Sequence, residues 1–305
     1  MLLMAIRLLC NTSGSGKTRL LFEGLCRYWG FYFVAQPGSD GLGAHDLESL
    51  IAGMQRAPGW THDIFKHSDP KQARLQNEDI AENLICKALL ARWVVFDTFI
   101  KVVKELNGGV VPDGAQRDWL LFQILPAIQV NDMDPFLAFI SSCLDDVSTA
   151  ELIALGRKFT VSKVLGPAFS PQPHFFYVLD EVQAAGTEHI NAFADGLGTT
   201  PRPVLCPIVR NLSSYPNRSV KMIVSGTGFS LALFERLLSS NVAKGEPEWG
   251  RVHAMGDFSD RDTQSACISR YLPPSFLRSE SGTFLMTRMH EWLRGRYAAL
   301  IKSRW

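Results

Sequence analysis

The sequence predicts an α/β fold on a mainly parallel sheet, and three stretches carry that expectation. The first is Leu8-Leu9-Cys10, an apolar strand that passes through small residues into Lys17-Thr18 at the start of an amphipathic helix. The second runs from His174 to Leu179, almost wholly apolar until it ends on Asp180-Glu181. The third, Val220-Lys221-Met222-Ile223-Val224, is apolar and β-branched and closes on Ser225-Gly226-Thr227-Gly228. Strands of a parallel sheet are covered on both faces, so they read as continuous apolar runs rather than as an apolar/polar alternation.

The first stretch has the chemistry of a P-loop. A strand that turns sharply into a helix leaves several backbone N–H groups pointing into one cavity, where they can hold phosphate oxygens. Asn11, Thr12, Ser13, Gly14, Ser15, Gly16, Lys17, Thr18 and the adjoining Arg19 form the candidate nucleotide-binding set. Gly14 and Gly16 allow close approach and positive φ. Lys17 would set a positive charge against the β- and γ-phosphates, and the Thr18 hydroxyl would coordinate Mg²⁺. The usual spacing, GxxxxGK[ST], puts its first glycine where this chain has Asn11, a residue type that also tolerates the left-handed conformation. The alternative is a Gly/Ser turn that merely precedes Lys-Thr.

Asp180 and Glu181 resemble the acids at the end of a Walker B strand. Asp180 would hold the Mg²⁺ through water, and Glu181, one position on, would polarise the water that attacks the γ-phosphate. The competing explanation is a core strand followed by an acidic helix N-terminus, which a helix dipole also favours. At the end of the third stretch, Thr227 or Ser225 would sense the γ-phosphate, the alternative being a strand-to-helix turn that needs small residues.

Along the chain, a helix is expected from Lys17 to Trp29, ended by Gly30, and then a buried strand Phe31–Ala35 closed by Pro37-Gly38. Residues 46–166 read as a helical insertion, with a long apolar-rich helix from Glu78 to Leu106 stopping at Asn107-Gly108-Gly109. It separates Lys17 from Asp180 by 163 positions, too many for a minimal βαβ unit, and is expected to pack as its own helical layer. Trp93, Phe96, Phe99, Ile100, Val103, Trp119, Leu120 and Phe122 are read as the core of that insertion rather than as a ligand box. A helix is expected over Phe229–Leu238, a fifth strand over Arg251–Met255, and a helical C-terminal part over 256–305. The whole of 1–305 reads as one domain of this class.

Composition fits that reading. At 305 residues and 46% hydrophobic content, the chain can bury a large core. With 31 basic and 30 acidic residues, its charge gives no footprint for nucleic acid. No run approaches the length needed to span a bilayer, so no membrane partner is expected. The six cysteines form no CxxC pair and read as reduced, mostly buried thiols of an intracellular protein, cytoplasmic or nuclear. Asp257, Asp260 and Asp262 lack the spacing of a calcium loop and read as solvated acids or helix caps. In Trp292-Leu293-Arg294-Gly295-Arg296, Arg294 and Arg296 are candidates to reach the γ-phosphate, the plain alternative being a basic helix end.

Together, NTSGSGKTRLLFEGL, HFFYVLDEVQ, IVSGTGFSL and the later GDF, RYLP and WLRGR segments resemble the ATPase region of fungal and oomycete Crinkler-type proteins, relatives of the retrotransposon-hot-spot P-loop NTPases. The resemblance spans Ile6 to Arg296, and the P-loop and the Asp-Glu pair are its specific motifs. It implies an α/β P-loop NTPase with a mainly parallel five-stranded sheet of order 5-1-4-3-2, carrying the large helical insertion. In longer relatives such a module is joined to an effector domain, and this chain looks like the ATPase module alone; effector-type delivery into a host stays open. The expected reaction is Mg²⁺-dependent hydrolysis of ATP to ADP and phosphate. The alternatives are a nucleotide-gated interaction module with little or no turnover, and a small-molecule kinase. Possible partners beyond the nucleotide are a second copy, which would bring an arginine in trans, or another protein.

Overall fold

The computed structural model describes residues 6–11, 16–36, 42–125, 134–166, 174–214, 220–227, 250–252, 260–269 and 272–293. Thr12 to Ser15, the expected helix Phe229–Leu238, His253 to Met255, Asp257, Arg294 and Arg296 lie outside these residues, as do the side chains of Cys10 and Asn11.

The protein is mixed α/β. Five strands, β1 (Ile6–Asn11), β2 (Gly30–Val34), β3 (Phe175–Asp180), β6 (Val220–Thr227) and β7 (Gly250–Val252), form a sheet ordered β7-β1-β6-β3-β2. Every neighbouring pair is parallel. Counting these five alone in chain order gives 5-1-4-3-2, the order expected from the sequence. The register aligns the C-terminal ends: Asn11 lies opposite Thr227, Leu179 opposite Val224, and Val34 opposite Asp180. A separate antiparallel ribbon joins β4 (Phe193–Ala194) to β5 (Pro201–Arg202).

Helix α1 (Lys17–Leu25) is shorter than expected. It gives way at Cys26, and the N–H groups of Arg27 and Tyr28 both donate to Gly24 O in a closing turn. Gly30 does not end the helix; it opens β2, where a Cβ would sit 2.5 Å from Phe176 O and 2.7 Å from Leu25 Cδ2. Its role is close packing of strand on strand and helix.

The insertion comprises α2 (Asp46–Met54), α3 (Pro70–Leu106), α4 (Ala115–Ile124), α5 (Pro135–Phe139) with a π turn at Ile140–Leu144, α6 (Thr149–Gly156) and α7 (Val161–Leu165). The long helix begins eight residues before the expected start, because Asp69 accepts from Gln72 N–H at 3.0 Å and Pro70 occupies the first turn. It ends at Asn107, followed by Gly108 and Gly109 with φ of 65° and 91°.

The insertion is not a layer with a core of its own. Trp93, Phe96 and Trp119 pack with Phe31, Phe175 and Tyr177 of the sheet in one aromatic cluster, and Trp93 Nε1 donates to the Tyr177 hydroxyl at 3.0 Å. Helix α8 (Leu205–Ser214) joins that core through Leu205, Ile208, Val209 and Leu212. On the opposite face, Leu21 and Leu25 of α1 pack with Leu120 and Ile124 of α4 against Leu9, Val34 and Val178. Helix α4 therefore wraps the outer edge of β2. An open strand edge exposes unpaired N–H and C=O groups. Here Gln123 accepts from Tyr32 N–H at 2.9 Å, Trp119 Nε1 donates to Gly30 O at 2.8 Å, and Arg92 donates to Tyr32 O at 2.8 Å. Arg92 and Asp46, both fully buried, form a bidentate pair at 2.8 and 2.7 Å. The C-terminal helices α9 (Arg261–Ile268), α10 (Pro274–Leu277) and α11 (Glu280–Leu293) pack on one another, with Gln264 of α9 donating to Met289 O at 3.1 Å.

Candidate functional site

The parallel sheet brings the first turn of α1 to the tip of β3. Gly16, at the helix N-cap, has φ 84°, a conformation that glycine adopts at least cost, and it brings no side chain over the first turn. The first N–H groups of a helix lack intrahelical acceptors and favour an anion. Lys17 follows immediately and is buried, 5% exposed. Thr18 is half-buried, and its hydroxyl donates to Asp180 Oδ2 at 2.9 Å across 162 residues of sequence.

Asp180 is fully buried, and its carboxylate accepts three hydrogen bonds among the described residues. Besides Thr18, the Tyr32 hydroxyl donates to Oδ2 at 3.1 Å, and the Glu181 N–H donates to Oδ1 at 3.0 Å. Strand alternation explains the convergence, because Val178 and Asp180 of β3 and Tyr32 and Val34 of β2 share the face that α1 covers. The Thr18 hydroxyl spends its only proton on Asp180 and keeps oxygen lone pairs for a cation. One hydroxyl and one carboxylate make a hard oxygen pair suited to Mg²⁺, which keeps several waters and shares its remaining positions with phosphates. Among the described residues no group of three or more His, Cys, Asp or Glu could cage a metal, so a cation here would depend on such outside ligands.

Glu181 leaves the strand with φ 55°, in the left-handed region that residues other than glycine seldom adopt. Such a conformation costs on the order of 1–3 kcal/mol and persists where surrounding bonds over-determine it. Those bonds are present: Val182 N–H donates to Ser225 O at 3.1 Å, Ala35 N–H to Asp180 O at 3.0 Å, and the Gln183 side-chain amide donates to Glu181 Oε2. Turns rather than a regular helix occupy 182–192, so the acids do not sit at the N-terminus of a following helix.

Of the two candidate sensors, Thr227 stands at the tip of β6, half-buried, with its N–H donating to Gln183 Oε1 at 3.0 Å. Ser225 lies two positions deeper, fully buried, and its hydroxyl has no hydrogen-bond partner among the described residues. Arg19 lies on the exposed side of α1, where it pairs with Glu23 at 2.9 Å. Asn11 is the last residue of β1, opposite Thr227. Asp260 and Asp262 are exposed at the start of α9, where the Asp262 N–H donates to Asp260 at 3.4 Å, in keeping with a helix-capping role.

Sequence reasoning missed Tyr32 and Gln183. Tyr32 carried a readable signal, since it lies two residues before Val34 in a strand expected beside the acid-bearing one. Gln183 carried none beyond its nearness to Glu181.

Models of known protein families, curated proteins and solved structures give no match to this chain. Among the described residues no helix is long and apolar enough to cross a membrane.

Proposed function

We propose that the chain is a P-loop NTPase that binds Mg²⁺-ATP between the start of α1 and the tips of β3 and β6, and hydrolyses it to ADP and phosphate. The observation that carries this reading is the 2.9 Å hydrogen bond from Thr18 to Asp180, which joins the end of a GK[ST]-type motif to the acid closing a buried parallel strand. The 5-1-4-3-2 strand order supports it, as does the likeness of these segments to the ATPase region of Crinkler-type proteins.

In this reading Lys17 and the first-turn N–H groups bind and neutralise the phosphates. Thr18 would coordinate the Mg²⁺ and Asp180 would hold it through water, and the ion when bound would offset charge on the phosphate oxygens. Glu181 accepts a proton from water as the water oxygen bonds to the γ-phosphorus and the bridging P–O bond to ADP breaks. Thr227, at the tip of β6, would respond to the γ-phosphate. Arg294 and Arg296 remain candidates to donate to the developing charge, and a trans arginine from a second copy is the alternative source.

The test is nucleotide binding and phosphate release by the purified chain beside two variants. Lys17→Ala should lose binding, while Glu181→Gln should bind as the parent does and lose turnover. Unchanged affinity in the first, or a parental rate in the second, overturns the assignment. A parent that binds ATP without releasing phosphate points instead to a nucleotide-gated module, and transfer to an acceptor other than water to a kinase.

A further inference from the structure

We propose that Gln183 is a positioning residue that ties the carboxylate of Glu181 to the tip of β6, so that the base and the strand end facing the γ-phosphate move as one body. The inference rests on the ATPase reading above and extends it to a residue outside the P-loop and the acid pair.

Three observations carry it. The Gln183 amide touches both groups at once, with Nε2 donating to Glu181 Oε2 and Oε1 accepting from Thr227 N–H at 3.0 Å. The amide's orientation follows from chemistry: a backbone N–H can only donate and a carboxylate can only accept, so the reversed amide would place donor against donor and acceptor against acceptor. The position beside it is shaped for the amide. A Cβ on Gly226 would lie 3.1 Å from Gln183 Oε1 and 2.9 Å from Val182 Cγ2, so a larger residue there would crowd the link.

Mechanically, the link compensates for a weakness in the site. Glu181 sits at the strained exit of β3 and begins a run of turns, where a long acidic side chain has rotamer freedom to lose. One bond from Gln183 fixes Oε2, and Oε1, without a partner among the described residues, would accept from water. Since Thr227 ends the strand paired with β1, a displacement of that strand end would pass through the amide to the base.

The experiment measures steady-state phosphate release and Mg²⁺-ATP affinity for the parent, Gln183→Ala, Gln183→Glu, Glu181→Gln and the Glu181→Gln/Gln183→Ala double variant. Misplacing a catalytic group by about 1 Å can cost about 100-fold in rate. Gln183→Ala should therefore lose about 10- to 100-fold in kcat, with Mg²⁺-ATP affinity within about threefold of the parent. Gln183→Glu keeps an acceptor for Thr227 N–H but sets a carboxylate against Glu181, so it should lose at least as much. If Gln183 acts through Glu181, the double variant should be no slower than Glu181→Gln alone, whereas general damage would slow it further. A parental kcat in Gln183→Ala, a parental kcat in Gln183→Glu, or additive loss in the double variant overturns the inference and leaves the ATPase reading standing. A parent that releases no phosphate overturns both.

Discussion

Replacing Asp180 in two ways should separate its part in the fold from its part in the site. In Asp180→Ala, three donors lose their acceptor at once: the Thr18 hydroxyl at 2.9 Å, the Tyr32 hydroxyl at 3.1 Å and the Glu181 N–H at 3.0 Å. A buried donor left unsatisfied costs about 1–3 kcal/mol. Tyr32 is buried, whereas Thr18 is half-buried and can turn its hydroxyl elsewhere. The expected loss of stability is therefore about 2–4 kcal/mol. Asp180→Asn should behave differently. Its Oδ1 still accepts from Glu181 N–H, and an amide nitrogen in place of Oδ2 can donate to the Thr18 and Tyr32 hydroxyls, which accept as well as they donate. Stability should stay within about 1 kcal/mol of the parent. The negative charge beside Thr18 is gone, however, and removing a group that supports a metal ligand typically lowers metal affinity about 10- to 100-fold. Urea denaturation gives the first quantity, and nucleotide titration at several Mg²⁺ concentrations gives the second. An Asp180→Asn protein with the parent's Mg²⁺ dependence would refute the metal assignment, and an Asp180→Ala protein as stable as the parent would refute the hydrogen-bond account.

Three further outcomes follow from the packing. Arg92→Met leaves Asp46 charged and fully buried without its bidentate partner, so urea denaturation should show a loss of about 3–5 kcal/mol, part of it recovered in the Asp46→Leu/Arg92→Met double variant, in which Tyr32 O still lacks its Arg92 donor; a single variant at parental stability would sink the argument. Gly30→Ala drives a Cβ to 2.5 Å from Phe176 O, a backbone atom that cannot retreat without disturbing the β2–β3 pairing, and thermal unfolding should register a loss of about 1–3 kcal/mol. Burial pushes the Cys86 thiol up from 9.0 to about 12, with Glu82 adding to the effect. Burial also raises Cys206 to about 12, against the opposing pull of Arg202 and Arg210. The folded state thus holds these protons more tightly than the unfolded chain, so the stability they contribute is full below about pH 9 and is lost as pH rises toward about 12. Denaturation midpoints should fall over that interval, less steeply in Cys86→Ala/Cys206→Ala, and at pH 8 a thiol reagent should modify the exposed Cys143 ahead of either buried thiol.

What the sequence discloses and what it hides divide along a physical line. The acid-bearing strand and its neighbours were readable because parallel strands buried on both faces must be apolar throughout, and Asp180-Glu181 breaks that run where β3 reaches the sheet edge. Lys17 and Thr18 were readable because a strand-to-helix turn imposes its own composition. Helix ends were less so. Asp69-Pro70 is a start signal that the apolar stretch beginning at Glu78 overshadowed, and Gly30 passed for a helix stop because a glycine required by close contact looks the same in sequence as one required by a turn. The partners of the site were hidden for a different reason. Tyr32 meets Asp180 across 148 positions and Gln183 meets Thr227 across 44, and neither contact leaves a periodic trace. Arg92 and Asp46 gave no sign of pairing either, since charged residues in helices ordinarily face solvent.

The buried edge of β2 gives the helical insertion a role at the site as well as in the core. Tyr32 is held on both sides of its peptide unit by the insertion, its N–H by Gln123 of α4 and its carbonyl by Arg92 of α3. Arg92 is itself oriented by Asp46 of α2 and lies over the rings of Phe33 and Phe136, at 4.5 and 4.1 Å. The Tyr32 side chain then reaches Asp180, the acid that also receives Thr18. Three insertion helices thus fix the backbone from which one of the three hydrogen bonds to that carboxylate is made. A bare edge strand would keep the apolar contacts of the sheet but leave Tyr32 free to shift along the strand direction, and with it the donor that restrains Asp180. The insertion therefore does more than cover an apolar sheet face: its buried polar side chains set the position of the strand next to the acid pair.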